Sequence, residues 1–420
     1  MKVPLPTLEV LERTRRGETV DSADVVALVN AWTTGAASDA QMAAWCATAG
    51  LRGVPYDASL AVVRALLAGG DRLELARLGP TVDIRSAGGV GDSALVIAAS
   101  CLVAGEGVIV ASTGAHAIAH VGGVLDAVEA TPGMRAQMPV EDWVLQARDA
   151  GMVIAEPGDR LVPEERRLAS LRDSTATAEG DAMVAIAAAA RGISGGAGVI
   201  VMDIAGGSGA LLPDLEHARA ACELATRLGT EWNRVVVAVP SERAQPMAGV
   251  AGHILEVRAA LDVLRGEGDA ALAQSACALA AAALTAAGSP TGADSVRTAL
   301  GAGRGAAAAE RWIAAQGGDP AVVAHTDLLP RAAIRSTVTA GAAGTVTAVD
   351  AGRIGAAARW LGAGRLDPGQ VIDPLCGVEL VARTGGSVGE GDVIAIVHGA
   401  DNWLVDRAVE MVRDAVVVGG

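Results

Sequence analysis

The chain has 420 residues, enough for two or three domains and a sizeable core without disulfide or metal staples. A net charge of −15 excludes a broad nucleic-acid or anionic-membrane surface, so an anionic ligand needs a local pocket. The N-terminus lacks an apolar run of signal-peptide length and no uncharged apolar run of membrane-spanning length follows, so a cytoplasmic protein is expected. In chain order, Val25, Leu28, Val29 and Trp32 recur at helical spacing after "DSAD". "SDAQ" at 38–41 has the form of a capping box, and "DASLAVVRALL" ends at Gly69-Gly70, so three short antiparallel helices are predicted over 8–80. From 82 to 156 short β-rich runs, "GVIVAS" and "GMVIAE", alternate with helices as buried strands do. Residues 165–191 return to helix before strands resume at 198–204 and 234–239 around a helix over 214–228. The stretch 252–335 is mostly helical, and the last 80 residues carry Gly-punctuated strands, "GTVTAVD", "GVELVAR" and "DVIAIVH". A sheet interrupted by a helical excursion predicts two lobes whose chain crosses between them more than once.

There is no Phe, aromatics are 2% of the chain, and the sole lysine is Lys2, so an internal cation that grips a ligand must be arginine. Arginine offers a fixed planar fork and no accessible neutral form. Cys46, Cys101, Cys222, Cys277 and Cys376 show no paired spacing and sit in apolar runs, as buried thiols of a reducing compartment do. The stretch "DIRSAGGVGDSALV" at 83–96 poses the central question: its glycines at Gly88, Gly89 and Gly91, running into an apolar helix, have the form of an anion cradle, yet the side chains around them suit one poorly.

Seven further segments in order carry a resemblance: "SDAQMAAWCATAGLRGV", "SAGGVGD", "HVGGVLDAVEATPG", "LRDSTATAEG", "VMDIAGGSGALLP", "QPMAGVAGHILEV" and "LGAGRLDPG". Together they make the chain similar to the thymidine and pyrimidine-nucleoside phosphorylases, the second structural class of nucleoside phosphorylases. The resemblance implies an α/β protein with a small helical lobe, a larger α/β lobe with a mixed sheet and an α+β C-terminal subdomain. Its parts are the helical lobe at 1–80 and 161–195, the α/β lobe at 81–160 and 196–335, and the subdomain at 336–420. It also implies a homodimer, a pyrimidine nucleoside bound on the helical side and phosphate bound on the α/β side. No cofactor, metal, nucleic acid or membrane partner is expected.

Carried over by position, the resemblance gives Arg172 the grip on a pyrimidine carbonyl and puts Arg191 where the family has a base-binding lysine. Ala187 replaces a base-binding serine, and the spacing of four sets Met183, Ala187 and Arg191 on one helix face. Where the family reads Lys-His-Ser-Thr, this chain reads Ile84-Arg85-Ser86-Ala87. Leu95 and Val124 replace a phosphate-binding serine and threonine. His116 falls on an arginine and Gly114 on a serine, although a one-residue shift lets Thr113 serve. The residual phosphate loop is then Gly88, Gly89, Gly91, Ser93, Thr113 and Val124, with Ser86 and His116 toward the substrate. Arg85, Arg172 and Arg191 form a three-cation pocket unless Arg85 turns to solvent or pairs with Asp83 or Asp92. Asp203 and Asp126 are assigned structural roles, and a monovalent-cation site is expected to be missing because Ala259 stands at its glutamate position. Three readings stay open: a pentosyltransferase acting at the glycosidic bond of a pyrimidine nucleoside with its phosphate site largely lost, a repurposed relative that binds an anionic nucleoside-like ligand and does non-phosphorolytic chemistry, and a non-catalytic ligand-binding protein.

Overall fold

The computed structural model describes residues 4–120, 122–289, 292–367 and 369–419. Lys2 and, within the motifs above, Val121 and Pro368 lie outside them. The helical region opens with four helices rather than three: α1 (Thr7–Arg16), α2 (Ser22–Thr33), α3 (Asp39–Arg52) and α4 (Tyr56–Ala68). The additional one, α1, buries only Val10, and so narrow an apolar stripe explains why its periodicity is faint. The capping box before α3 is present: the Gln41 amide donates to Ser38 Oγ at 3.3 Å, and the Ser38 amide donates to Gln41 Oε1 at 2.9 Å. Trp32 and Trp45 fill the core between these helices.

The chain then enters a parallel sheet: β1 (Thr81–Ser86), α5 (Asp92–Gly105), β2 (Ile109–Ser112), α6 (Val124–Ala130), β3 (Gln137–Met138), α7 (Val140–Ala150), β4 (Met152–Ile154) and β5 (Glu156–Pro157). It leaves for α8 (Pro163–Ser174) and α9 (Asp181–Ser194), which pack on α3 and α4, and returns as β6 (Val199–Gly206), α10 (Leu215–Thr230) and β7 (Val235–Glu242). The helix predicted over 165–191 is thus two, because the residues "TATAEG" place Ala176 and Gly180 at positive φ between them. The sheet order is β4-β2-β1-β6-β7 and every pair is parallel; antiparallel pairing falls in the C-terminal region. All eight residues of β6 are buried, as a central strand covered on both faces requires.

Next come β8 (Val250–Ala251), α11 (His253–Leu264), α12 (Ala270–Ala286), α13 (Ala293–Gly301), α14 (Arg304–Ala315) and α15 (Ala321–Ala324). Helices α11, α12 and α14 surround α5, whose residues are buried on all sides. The C-terminal part holds β9 (Ile334–Thr339), β10 (Gly344–Val349), α16 (Ala351–Ala358), β11 (Gly377–Leu380), β12 (Ser387–Val388), β13 (Val393–Gly399), α17 (Asn402–Ala415) and β14 (Val416–Gly419). Antiparallel pairing of β8 with β11 ties this part to the α/β region. No helix among the described residues is long and apolar enough to cross a membrane.

This topology fixes where a site can form. The chain runs from β1 outward through β2 to β4, then resumes beside β1 with β6, so the order reverses between β1 and β6. Open parallel sheets bind ligands beyond the carboxyl ends of their strands at such a reversal. The glycine-rich turn 87–91 lies there, with α8 and α9 opposite it.

Candidate functional site

A cavity of about 120 Å³ separates the two walls. The α/β wall contributes Ile84, Arg85, Ser86, Gly88, Ser93 and Val124; the helical wall contributes Glu165, Arg172, Ala187 and Arg191; His116 lines it as well. The three arginines expected from the sequence therefore meet in one pocket. Several other expected residues do not. Leu95 packs into the hydrophobic core behind α5 instead of facing the cavity. Met183 is fully buried, because the cavity face of α9 runs through Val184, Ala187, Ala188 and Arg191 and leaves Met183 on the core side. Gly89, Gly91 and Thr113 are also off the lining.

On the α/β wall much of the anion-binding capacity is used internally, although the Ser93 hydroxyl, which lines the cavity, has no hydrogen-bond partner among the described residues. Gly88 N donates to Ser86 Oγ at 3.1 Å, Ala87 N to Asp203 O at 2.9 Å and Val90 N to Gly209 O at 2.8 Å. Ser86 Oγ in turn donates to Asp92, in the first turn of α5. The Ser93 amide, also at the start of α5, donates to Glu256 Oε2 at 3.0 Å. Two protein carboxylates thus occupy the helix N-terminus where a ligand anion would be favoured. The glycines serve this arrangement. A Cβ on Gly89 would strike the Asp92 carboxylate, and Gly91, at φ 87°, would put one 2.6 Å from Met247 O.

Beneath the turn, Arg243 donates from Nε to Asp92 Oδ1 and from Nη2 to Asp203 Oδ2, each at 2.7 Å, and is 3% exposed. Burial pushes the Asp203 carboxyl up to about 6 against the pull of Arg243. Glu256, 1% exposed, is pushed up to about 7 by burial although Gly252 N and Ser93 N donate to it. Sequence reading missed Arg243 and Glu256. The first sits at the carboxyl end of β7, where sheets of this kind place functional groups, and the second three residues before the Ala259 to which the missing carboxylate was assigned. A carboxylate therefore stands in this region after all.

The arginines are balanced unequally. A guanidinium has five N–H donors. Arg85 spends Nε and Nη2 on Asp83 and donates from Nη2 to Thr113 Oγ1 at 3.0 Å. It is therefore paired, which corrects the three-cation pocket and removes Thr113 from the residual phosphate hydroxyls. Arg191 pairs with Glu165 through Nε and reaches Gly114 O at 3.4 Å. Arg172, 2% exposed, has carbonyl partners only: Thr177 O at 3.1 Å, Met183 O at 3.4 Å and Ala178 O. Burial disfavours its charge, and one N–H remains on each terminal nitrogen as a parallel pair.

His116 Nε2 lies 3.4 Å from Glu129 Oε1. Burial pulls its pKa down, but Glu129 and the nearby Asp126 outweigh burial and hold it above the usual histidine value. One ligand atom each from His116, Asp126 and Glu129 falls within 4.8 Å of the others, a spacing that could hold a metal, with Asp126 already accepting from Ala117 N at 2.6 Å. His120 lines a separate small cavity with His253 and is not part of that group. All five cysteines are buried and free.

A helical bundle set against a parallel α/β sheet is a fold seen in glycosyl-transferring proteins. The structure superimposes with a TM-score of 0.56 on the crystal structure of anthranilate phosphoribosyltransferase from Thermus thermophilus, at 20% identity over 73% of this chain and 99% of that one. The family model of the glycosyl transferase family helical bundle domain matches residues 8–70, and that of the pyrimidine nucleoside phosphorylase C-terminal domain matches residues 345–419. The pyrimidine-nucleoside phosphorylase of Geobacillus stearothermophilus is 29% identical over 396 residues, 93% of this chain and 91% of its own. That of Staphylococcus aureus strain MSSA476 is 28% identical over 416 residues, 98% and 96% respectively. Over most of its length, and in both matched domains, the chain is thus similar to the pyrimidine-nucleoside phosphorylases.

Proposed function

We propose that the protein acts as a pentosyltransferase at the glycosidic bond of a pyrimidine nucleoside or close analogue, with tight binding of inorganic phosphate largely lost. The observation that carries this reading is the unequal distribution of free donors between the walls. Among the described residues Arg172 keeps two uncommitted N–H groups and Arg191 three, whereas on the α/β wall Gly88 N, Val90 N and Ser93 N are bonded within the protein and only the Ser93 hydroxyl and the Nη1 of the Asp83-paired Arg85 remain.

As the bond from the anomeric carbon to the base loosens and an oxygen of a weakly held phosphate bonds to that carbon, the departing base gathers negative charge on its carbonyl oxygens. Fixed donors stabilise that charge without reorganising. Arg172, clamped by three carbonyls, is such a donor set, and Arg191 supplies a second from the same wall. Neither can transfer a proton near neutral pH. On the opposite wall a phosphate would meet Ile84, Val124 and the Asp92 carboxylate, with only the Ser93 hydroxyl and the Nη1 of the Asp83-paired Arg85 to replace its water, so stripping that water is costly.

The test follows release of free base from thymidine, uridine and deoxyuridine with and without phosphate or arsenate. The expected outcome is release that does not saturate with phosphate in the ordinary KM range of roughly 1 μM to 1 mM. Saturation in that range would restore ordinary phosphorolysis. Absence of both release and ligand-induced thermal stabilisation would remove the nucleoside reading.

A further inference from the structure

The inner cavity, at about 120 Å³, is well below the roughly 300–1,000 Å³ of small-molecule sites, so a nucleoside-sized ligand must extend beyond it. It opens past His116, Ile118, Ala169 and Arg191 into a second chamber of about 560 Å³. The chamber gathers four arginines, Arg166, Arg191, Arg359 and Arg365, in a protein whose net charge is −15. Two of them are ion-paired: Arg166 with Glu156 at 3.0 Å, and Arg191, whose remaining N–H groups face the inner pocket in the reading above, with Glu165.

The other two are not. After α16 the helix widens into a π-turn at Arg359–Ala363, which places Arg359 and Arg365 on the same wall. Arg359 Nε donates to the Arg365 carbonyl, which fixes the one guanidinium beside the other residue's backbone. Neither the terminal nitrogens of Arg359 nor the guanidinium of Arg365 has a hydrogen bond or ion pair among the described residues. Of the chamber's carboxylates, Glu156 is paired with Arg166 and Asp173 accepts from Ala119 N at 2.7 Å. Asp367 has no ion pair among the described residues and is exposed, where solvent screens it.

We infer that the outer chamber receives a phosphate monoester carried by the ligand itself, gripped by Arg359 and Arg365, so that the molecule bound is a pyrimidine nucleotide in preference to the free nucleoside. The inference rests on the proposed reading that the inner pocket takes the pyrimidine. Two planar forks with free N–H groups lining one chamber, one of them held at the other residue's backbone, match the oxygens of a phosphate dianion. The negative charge that Ile84 and Val124 exclude from the inner wall is accommodated in the outer one.

Calorimetric titration of the full chain with uridine, uridine 5′-phosphate and inorganic phosphate tests this, alongside R365A and the R359A/R365A double variant. The nucleotide is expected to bind at least about tenfold more tightly than uridine, with that advantage reduced in R365A and lost in the double variant. Because the Arg365 guanidinium has no partner to lose among the described residues, R365A keeps the test valid should the double variant misfold. Equal affinity for nucleotide and nucleoside would overturn the inference and leave the nucleoside reading intact. A nucleotide advantage that persists in both variants would overturn the assignment to these arginines. Inorganic phosphate binding as tightly as the nucleotide, and lost in the variants, would overturn the claim that the phosphate is ligand-borne. Binding of neither uridine nor its phosphate would overturn the nucleoside reading itself.

Discussion

The two walls of the cleft use the same chemistry to opposite ends. On the α/β wall, Arg243, Asp92, Asp203 and Ser86 form a network in which the Ser86 hydroxyl, the Gly88 amide and two guanidinium nitrogens donate to protein acceptors. On the helical wall, Arg172 is fixed by carbonyls and still has donors to give. A satisfied polar network rigidifies, whereas an unfinished one binds. A glycine-rich turn before a helix is an anion site only to the extent that its own chain leaves donors free.

The largest expected effect breaks the closed wall. R243A leaves Asp92 and Asp203 buried without their cation and should cost about 3–5 kcal/mol of stability, measured by urea unfolding. A drop below about 1 kcal/mol would mean that water or protonation replaces the arginine readily. The next effect concerns protons on the same wall. Glu256 and Asp203 titrate above their ordinary values when folded, so between about pH 4.5 and 7 the native state holds protons that the unfolded chain releases. Their contribution is full below the unfolded values and is lost as pH rises through the folded ones. E256Q should flatten this decline by an amount on the order of 3 kcal/mol, seen as a shallower dependence of the urea midpoint on pH over that window. An unchanged slope would place the titration elsewhere. The smallest effect probes the open wall: R172A should weaken pyrimidine-ligand binding about 10- to 100-fold, or about 1.5–3 kcal/mol, by calorimetry. Unaltered affinity would show that the cleft is assigned to the wrong donors.

Much of the architecture was legible because strong periodicity and capping signals survive without tertiary help. The Ser38–Gln41 box, the uniformly apolar β6 run and the meeting of Arg85, Arg172 and Arg191 in one cavity all follow from local pattern and motif position. What stayed hidden depends on which atoms a side chain has already satisfied. Pairing of Arg85 with Asp83 is one of the alternatives that "DIRS" leaves open, since two residues apart on a strand both point to one face whether or not they pair, and only the folded chain selects it. Arg191 and Glu165, and likewise Arg243 and its two aspartates, are partners from distant elements that no local spacing announces. Met183 was misplaced because a four-residue spacing holds for several faces of a helix at once, and only packing selects among them.

The excursion of the chain through α8 and α9 has a consequence for how the protein comes into being. The N-terminal helices cannot complete their bundle when they leave the ribosome, because two of its members are encoded after β5. Until those arrive, the apolar faces of α3 and α4 stay uncovered, and the early part of the sheet must be synthesised in the meantime. Neither lobe is then an independent folding unit, and a cut in the linker after α4 would split a domain instead of releasing one.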